Sequence, residues 1–542
     1  MREYSAAHVG TPDQDDSQEG TGVRTRAVAL MLAAGLLLAG CGGSSKSSTT
    51  TSTSGATQPT GTPRAGGELT VADPLPPTSL DPILGTSGGD QMALYPIYDR
   101  LIDFNPRTLD PEPGLATAWR YTSPTTLVLT LRRGVAFQDG TPFNGAAVQF
   151  NLMRAATLKT SVEAADLASL ASVTVTGPSQ VTLHLKAPDA AMVLTLADRA
   201  GMMSSPTAVK KLGASYGNHP VGTGPYTVSQ YVPNSKLVLN KNPHYWQAGK
   251  PYLKGITFDY FTDQQTANNA VKDDQAQVEL NVALSDVSTL KAVSGLSVVS
   301  APSLYIDGCY INAARPPLNN VLVRQAVAIA INRTALNQVF AFGQATPASQ
   351  FYPSGYWAFD PAAANTLAYN PTKVRSLLKQ AGYPNGVTIK GLGYQTSAEA
   401  RLLQVIQQQL KNSDINMTFS LPQVATAAQD FFVSKTYNMI CSSWSGRPDP
   451  SQTATQLMAS TSFYNAGAYS PPGMAAALAA AAGDQSTPAR ADALHTVTAL
   501  NQRYMVWLPL LNEPNVTAIY NKVHGLLPNL YGKVDVSFLW LG

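Results

Sequence analysis

Short runs rich in β-branched residues alternate with helical segments along the whole chain from residue 68 onwards. Residues 69–72, 126–131 and 181–185 predict strands of this kind. Residues 236–239 alternate between polar and apolar side chains and are predicted to pair with residues 226–229 as a hairpin. Strands and helices that interleave in this way pack as layers of helix against sheet, so the sequence predicts an α/β fold.

The helical segments are clearest in the second half of the chain, where the spacing of apolar residues follows the helical period. The predicted helices are residues 321–331, 373–381, 398–411 and 474–482. Asn332 and Arg333 follow the first of them and are predicted to close it. A chain of 542 residues is longer than a single core usually organises, so we expect at least two α/β lobes.

The charge balance argues against a nucleic-acid partner. Lys and Arg number 37 against 34 Asp and Glu, a formal net charge of +3, so no basic excess exists to neutralise a phosphate backbone. The three cysteines show no C-x-x-C zinc pattern, and the histidines lack the spacing of metal ligands. We therefore expect neither a metal ion nor another cofactor.

One apolar run, at residues 27–38, follows two arginines and ends in the sequence Leu-Ala-Gly-Cys, with Cys41 last. The run is shorter than the ~20 residues that a membrane-spanning helix needs. Basic residues, a short apolar core and small residues before a cleavage site are typical of a secretory signal. The sequence therefore predicts a signal peptide at residues 1–40, with a short transmembrane anchor as the alternative.

The Leu-Ala-Gly-Cys ending resembles the lipobox of bacterial lipoproteins, which implies that Cys41 is lipidated and becomes the first residue of the mature chain. A multiply acylated cysteine anchors a protein stably to a membrane. Residues 41–65 are rich in Ser, Thr, Gly and Pro and predict a flexible tether, because they cannot bury enough apolar area to fold. Four acidic residues near the N-terminus are unusual for a signal peptide, so we expect translation to start further in, near Val23.

Several segments, taken in order, carry a resemblance to a known family. Residues 131–143 read LRRGVAFQDGTPF, and residues 310–333 combine Asn312, a Pro-Pro pair, VRQA and Asn-Arg. The further matching segments are residues 66–72, 98–101, 113–119, 220–226, 242–246 and 371–386. Together they resemble the extracytoplasmic solute-binding proteins of ABC importers, specifically the family that binds oligopeptides, dipeptides and nickel. The resemblance covers residues 66–542.

This resemblance implies two lobes joined by a hinge, which close on a solute like a clamshell. Lobe 1 would comprise residues 66–111, 212–308 and 508–542, an inserted subdomain residues 112–211, and lobe 2 residues 309–507. Such a protein captures a small solute and delivers it to an ABC transporter permease without catalysing a reaction. We expect an extracytoplasmic monomer held at the cell membrane by its lipid anchor, with an oligopeptide or dipeptide as the solute.

Two cysteines remain after the lipidated one. Cys309 is predicted to open a strand, and Cys441 lies within a predicted strand at residues 437–443. In an exported chain, two remaining cysteines suggest one disulfide. The alternative is a pair of buried free thiols.

Residues 444–450, with the sequence WSGRPDP, are the most informative about the ligand. In peptide-binding members of the family that the chain resembles, the matching loop carries an aspartate that holds the α-ammonium group of the peptide. The loop here is one residue shorter: counting from Trp444 puts Arg447 at that position, and counting back from Asp449 puts Gly446 there. Both alignments remove the carboxylate. Because an arginine attracts carboxylates and phosphates, a non-peptide anionic solute is the second expectation.

Two other interpretations of this loop remain: Asp449 takes the place of the missing carboxylate, or Arg447 points to solvent. Aromatic side chains commonly cover ligand surface in a cleft, although each of them is also a candidate for the core. The aromatic candidates are Trp444, Trp357, Tyr356 and Tyr352.

Residues 213–217 read GASYG and match the G-x-S-x-G pattern of serine hydrolases, with Ser215 as the nucleophile. A nucleophile elbow needs a strand before the serine and a helix after it, whereas residues 209–212 have the pattern of a helix end. A secreted hydrolase is therefore a remote alternative, and a receptor that signals without import is another. Arg324, on an otherwise apolar helix, predicts a buried ion pair or a loop cap rather than a ligand contact.

Overall fold

The computed structural model describes residues 61–542 as a mixed α/β body. The predicted signal peptide, the start near Val23, the lipidated Cys41 and the tether up to residue 60 lie outside the described residues. Within residues 61–542, no helix has both the length and the hydropathy that crossing a membrane requires.

A single eleven-stranded sheet runs through this body. Ten of its strands lie side by side in the order Ile415–Ser420, Val387–Leu392, Met439–Ser445, Leu296–Ile311, Trp507–Tyr520, Val278–Glu279, Glu68–Asp73, Gly255–Tyr260, Lys236–Lys241 and Tyr226–Val232, and Thr346–Pro347 pairs with Trp507–Tyr520. The predicted hairpin is confirmed, because Tyr226–Val232 and Lys236–Lys241 are antiparallel neighbours.

The two longest strands, Leu296–Ile311 and Trp507–Tyr520, belong to both halves of this sheet, and we call them the crossing strands. Trp507–Tyr520 pairs with Val278–Glu279 near one end, and Leu296–Ile311 pairs with Met439–Ser445 at the other end. Their antiparallel register shifts between Pro302 and Tyr305, so the ladder is interrupted where the strands pass from one half to the other. We call the half that contains Glu68–Asp73 the first lobe and the half that contains Met439–Ser445 the second lobe.

A separate four-stranded antiparallel sheet lies within the range predicted for the inserted subdomain, and the boundaries of that subdomain stay a prediction. Its strands, in order, are Ala116–Ser123, Thr126–Leu131, Gln180–Leu185 and Leu170–Gly177. Helix Gly145–Thr157 packs against it, and the core residues of both are apolar and buried. The described residues also form two two-stranded antiparallel sheets: Ile102–Phe104 pairs with Pro111–Pro113, and Val523–His524 pairs with Trp540–Leu541.

Helices surround the sheets, and asparagine or threonine side chains cap several of them. The α-helices are Asp90–Leu94, Gly145–Thr157, Met192–Thr195, Pro206–Leu212, Gln264–Lys272, Val287–Lys291, Val321–Ile329, Arg333–Phe340, Pro371–Gln380, Ser397–Lys411, Val424–Ala428, Pro450–Met458, Met474–Gly483 and Thr487–Tyr504. Short 3-10 turns lie at Arg199–Gly201, Gly213–Asn218 and Pro361–Ala363, and one π-helical turn lies at Gln429–Val433.

The helix predicted at residues 321–331 ends earlier than expected, as Val321–Ile329. Asn332 does not close it but begins the next helix, Arg333–Phe340, because its side-chain oxygen accepts a hydrogen bond from the Ala335 N–H at 3.0 Å. Asparagine is among the best residues for this N-cap position. The second lobe therefore has one helix more than the sequence pattern indicated at this point.

Arg324 is buried and has no carboxylate partner among residues 61–542. Its guanidinium donates instead to the backbone carbonyls of Tyr504, Leu318 and Asn319, at 2.8 to 3.2 Å. Leu318 and Asn319 lie in the loop before helix Val321–Ile329, and Tyr504 ends helix Thr487–Tyr504, so Arg324 caps that loop, the second of its two predicted roles. These hydrogen bonds offset part of the cost of burying the charge, and Nη2 of Arg324 has no hydrogen-bond partner within residues 61–542.

Cys309 and Cys441 lie directly opposite each other in neighbouring strands, and the structure joins them by a disulfide. Both residues are fully buried. Cys309 does not open its strand as expected, because that strand is a crossing strand and begins at Leu296. The bridge therefore fixes the central strand of the second lobe to the part of the sheet that continues into the first lobe.

Replacing both Cys309 and Cys441 by alanine should lower the free energy of unfolding by about 2 to 5 kcal/mol, because the bridge closes a long loop in the unfolded chain. The change would be measured as a lower urea midpoint under non-reducing conditions. Adding reductant to the wild type is the control and should lower its midpoint towards that of the variant. Alkylation of two thiols at residues 309 and 441 in the denatured, unreduced protein would contradict the bridge.

A pair of carboxyl groups lies where the crossing strands pass between the lobes. Tyr305 is opposite Glu513 in the ladder, and Asp307 is two residues further along, so both carboxyl groups point to the same face. Burial raises the pKa of Asp307 well above its ordinary value, and the neighbouring Glu513 raises this pKa further. Burial also raises the pKa of Glu513. The pair is therefore most stable when it holds at least one proton.

An acid whose pKa is higher in the folded state than in the unfolded state stabilises the fold at low pH, and this contribution is lost as the pH rises through the folded pKa. The free energy of unfolding of the wild type should therefore fall between pH 5 and pH 8, and Glu513→Gln should reduce this fall. Urea denaturation at both pH values measures it. Glu112→Gln, at an exposed position, is the matched control and should keep the wild-type slope.

Candidate binding site between the lobes

The loop from Trp444 to Asp449 connects a strand of the second lobe to a helix. Trp444 is in strand Met439–Ser445, and Asp449 caps helix Pro450–Met458. The side chain of Asp449 is fully buried, accepts a hydrogen bond from the Ser451 N–H at 2.9 Å and forms an ion pair with Arg490 at 2.5 Å. Asp449 therefore stabilises the loop, and its charge is already paired with Arg490 of the same chain.

Three aromatic side chains contact the same loop or the arginine that pairs with Asp449. The hydroxyl of Tyr352 donates to the carbonyl oxygen of Pro450, and that of Tyr356 donates to the carbonyl of Pro448, both at 2.9 Å. The ring of Trp357 lies 5.4 Å from the guanidinium of Arg490. These contacts give the three aromatic residues a positioning role, and a direct contact of Tyr352 or Trp357 with ligand stays a prediction.

Gly446 has no room for a side chain. Its N–H donates to the carbonyl of Leu304 at 3.1 Å, and a Cβ atom at residue 446 would approach the Cβ of Leu304 to 2.6 Å. Contacts below 3.0 Å force atoms to move, so an aspartate would not fit at this position. Of the two residues that could replace the family's aspartate, Arg447 is the one whose side chain reaches the facing side of the site, at Asp166.

Arg447 connects the second lobe to the segment between helix Gly145–Thr157 and strand Leu170–Gly177. Its Nε lies 3.4 Å from Asp166 Oδ2, and its Nη1 donates to the carbonyl of Ser445 at 3.3 Å. The other oxygen of Asp166 accepts a hydrogen bond from Gln456 at 2.8 Å. The guanidinium also lies 5.4 Å from the ring of Trp444. Arg447 therefore does not simply point to solvent.

The first-lobe side of the site is formed by a chain of polar side chains around Tyr531. The Tyr531 hydroxyl donates to Asp198 Oδ2 at 2.6 Å and accepts from Gln91 Nε2 at 3.3 Å. Lys533, close by in sequence, donates to the carbonyl of Gly88 at 2.8 Å and to the hydroxyl of Tyr305. This side of the site thus brings together four segments that are distant in the sequence.

A second acidic group lies next to these residues. Glu163 Oε1 is 3.6 Å from Arg199 Nε, and Arg199 Nη1 is 3.6 Å from Asp90 Oδ2. Burial raises the pKa of Glu163 to about 8, although the nearby Arg199 opposes the shift. Burial raises the pKa of Asp166 and Asp90 as well. The site therefore contains several carboxyl groups, and a bound cation would stabilise their ionised form.

The two sides touch at further points. Gln452 of the second lobe donates to the Thr195 hydroxyl at 3.0 Å, and the Ala190 N–H donates to the carbonyl of Ala482 at 2.7 Å. A cavity of about 560 Å³ adjoins these contacts and is lined from both sides, by Asp166 among others and by the helix that contains Gln456. This volume is within the range that small-molecule sites have.

Ser215 lies in the 3-10 turn Gly213–Asn218, directly after helix Pro206–Leu212. This order differs from the strand, sharp turn and helix that position the nucleophile of a serine hydrolase. No cluster of three or more His, Cys, Asp or Glu side chains suited to a metal occurs in the part of the chain that the structure describes.

Sequence reasoning found the loop of Arg447 but missed the opposite side of the site. Asp166, Asp198, Gln91 and Tyr531 come from separate segments, and none of these segments contains a motif for binding. Only their contacts in the folded chain bring them together. No local pattern could have identified them, since side chains from distant segments meet only through tertiary packing.

The variant Arg490→Met should lower the free energy of unfolding by about 3 to 5 kcal/mol, because it leaves Asp449 buried without its cation. Asp449→Asn in the same chain should restore part of this loss, since asparagine keeps the helix cap without the charge. Urea denaturation measures both. Arg503→Met, at an exposed position of the same helix, is the control and should change little. An equal loss in both arginine variants would contradict the role of the Asp449–Arg490 pair.

Known proteins are similar to this chain in both sequence and fold. The family model for bacterial extracellular solute-binding proteins, family 5 middle region, matches residues 110–466, more than half of the chain. The glutathione-binding protein GsiB of Salmonella choleraesuis (strain SC-B67) is 37% identical over 292 residues, which are 53% of this chain and 56% of that protein. The chain thus spans about half the length of the curated relatives it matches.

Solved structures match over most of the described body. DppA of Helicobacter pylori, in complex with the peptide STSA, has a TM-score of 0.78 at 22% identity and covers 88% of this chain and 98% of its own. The dipeptide-binding protein of Pseudoalteromonas sp. SM9913, in complex with Met-Leu, has a TM-score of 0.78 at 20% identity, with 88% and 100% covered. These likenesses show the two-lobed α/β fold of periplasmic binding proteins, as the sequence predicted. Together with the family model, they establish that the chain belongs to the bacterial extracellular solute-binding proteins of family 5.

Proposed function

We propose that this chain is an extracytoplasmic receptor that captures a small peptide between its two lobes and delivers it to the permease of an ABC transporter. The observation that carries the proposal is the ion pair between Arg447 and Asp166, 3.4 Å apart. It joins the second lobe to the segment that faces it, at the place where the two sides of the cleft meet. A solute bound there contacts both lobes and stabilises the closed form, which the permease distinguishes from the open form.

Peptide as the solute class is supported by the relatives. One is called glutathione-binding, and two structures of the same fold contain the peptide STSA and the dipeptide Met-Leu. The sequences of those two structures are distant, and the similarity to GsiB covers part of each chain, so we take a small peptide as the class and name no single ligand. A cavity of about 560 Å³, which Asp166 lines but Arg447 and Asp198 do not, lies beside the ion pair and is within the volume range of small-molecule sites.

The membrane anchor is part of the same proposal. Lipidation of Cys41 would hold the receptor at the outer face of the cell membrane, and the tether up to residue 65 would give the folded body freedom to reach the permease. In this arrangement the chain works as a monomer, needs no cofactor and catalyses no reaction.

A non-peptide anionic solute is the second candidate, and Arg447 is the observation that favours it. The guanidinium is the one basic group of the second-lobe loop, and its side chain remains 27% exposed. Arginine binds carboxylates and phosphates well. A multiply charged anion would, however, lie near the carboxyl groups of Asp166, Glu163 and Asp198, so we rank this candidate below a peptide.

Native mass spectrometry of the full chain, purified in mild detergent without refolding, tests the proposal. We expect retained peptide masses, and we expect added glutathione or Met-Leu to raise the melting temperature. A ligand at about 100 times its Kd stabilises the folded state by about 2.7 kcal/mol, which corresponds to a few degrees in a protein of this size.

A single retained non-peptide anion would favour the second candidate. The absence of any retained solute, combined with no thermal shift from a panel of di-, tri- and tetrapeptides, would refute the proposal. Acetate is a matched control, because it has a carboxylate without a peptide and should leave the melting temperature unchanged.

A further inference from the structure

The charges at the lobe junction are unevenly distributed. Arg447 is the cation of the second-lobe side, and its charge interacts with several acidic groups on the facing side. The carboxyl groups gathered there are Asp166, Glu163, Asp198 and Asp90, and the basic groups are Arg199, Arg447 and Lys533. Four acidic groups therefore face three basic ones, and the acidic excess lies on the first-lobe side.

Two buried acceptors on that side lack a donor within the described residues. Asp198 is 9% exposed and Gln91 is 7% exposed. Asp198 Oδ1 and Gln91 Oε1 receive no hydrogen bond from residues 61–542, whereas the other polar atom of each side chain contacts the hydroxyl of Tyr531. An unpaired buried acceptor costs free energy, and a donor with a positive charge would satisfy both the hydrogen bonding and the charge.

Arg447, on the opposite side, is held only by long contacts. Its distances to Asp166 and to the carbonyl of Ser445 are 3.4 and 3.3 Å. A guanidinium that binds a carboxylate bidentately does so at about 2.7 to 2.9 Å. Asp166 keeps a second partner in Gln456, so it remains hydrogen-bonded if Arg447 moves to another carboxylate. Arg447 is therefore able to exchange Asp166 for a carboxylate of the solute.

We propose that the solute binds as a zwitterion with its ammonium group against Asp198 and Gln91 on the first-lobe side of the site and a carboxylate on Arg447 of the second lobe. This inference rests on the proposed function and specifies its substrate class: peptides or amino-acid derivatives with one free ammonium and at least one free carboxylate. The orientation is the reverse of the one that the resemblance implied, in which a carboxylate of the second-lobe loop holds the ammonium group.

The structure also explains why the polarity is reversed. Gly446 has no space for a carboxylate, and Asp449 is neutralised by Arg490, so the second-lobe loop offers no free negative charge. The same loop contributes the positive charge of Arg447. An ammonium group placed beside Arg447 would be repelled, whereas beside Asp198 it gains an ion pair.

The test combines solute variants with protein variants, measured by calorimetry on the full chain in mild detergent. The probes are glutathione, N-acetylglutathione, which lacks the ammonium group, and glutathione diethyl ester, which lacks free carboxylates. Met-Leu with its N-acetyl and amide forms is run in parallel. For the wild type, each modification should weaken binding by about 10- to 100-fold, as expected for loss of one charge-assisted contact.

Asp198→Asn should remove the penalty of acetylation to within about threefold and leave the penalty of esterification or amidation intact. Arg447→Gln should do the opposite. Such selective loss is the coupling that a double-mutant cycle detects for groups in contact. Asp274→Asn, in an exposed ion pair with Lys522, is the matched control and should preserve both penalties.

Because Asp198 is buried against Tyr531, its variant is first checked for a melting temperature close to that of the wild type. If Asp198→Asn does not fold, Gln91→Leu is used in its place, because this variant removes the second acceptor and leaves every charge unchanged. Gln91→Leu should reduce the acetylation penalty at least threefold. A wild type that binds peptides while Asp198→Asn and Gln91→Leu keep the full acetylation penalty would overturn the inference alone. A wild type that binds none of the peptides would overturn the proposed function, and the inference with it.

Discussion

The pairing of two long strands across both lobes is the constraint on which the rest of this structure depends. Leu296–Ile311 and Trp507–Tyr520 pair along almost their whole length, and each lobe completes its sheet by adding strands to one end of this pair. Their register shifts between Pro302 and Tyr305 and again between Asp307 and Gly308, so the hydrogen-bond ladder is disrupted where the strands pass between the lobes. The relative position of the lobes is therefore set by a short stretch of backbone, although the core of each lobe is large and apolar.

The partners of three second-lobe arginines, Arg324, Arg333 and Arg447, distinguish their roles. Arg324 and Arg333 donate to backbone carbonyls, and within the described body neither pairs with an acid. Burial lowers the pKa of Arg333 to about 10, since no nearby negative charge opposes the effect. Arg447 differs, because its partner is a carboxylate from the facing side of the cleft. Carbonyl-bound arginines are fixed parts of the second lobe, whereas an arginine paired across a cleft can change partners when a solute enters.

Local sequence patterns predicted individual elements well, and tertiary packing decided the rest. The strand at residues 126–131 is observed with those bounds, because β-branched and apolar residues there alternate between solvent and core. The strand of Cys309 is longer than its local pattern indicated, since it continues between two lobes that no local pattern connects. The loop of Arg447 was recognised by its sequence, but Asp198 and Tyr531 were not, because they meet only when residues more than 300 positions apart fold together.

One residue at the interrupted register is hydrogen-bonded to both sides of the site. Leu304 donates its N–H to the carbonyl of Leu530, the neighbour of Tyr531, and accepts the N–H of Gly446, the neighbour of Arg447. The segment of Tyr531 and the loop of Arg447 are thus both hydrogen-bonded to the same residue of a crossing strand, through its two neighbouring peptide units. In the binding mode proposed above, a solute that spans the two sides contacts both lobes, and the binding energy from these contacts is available to hold the lobes closed.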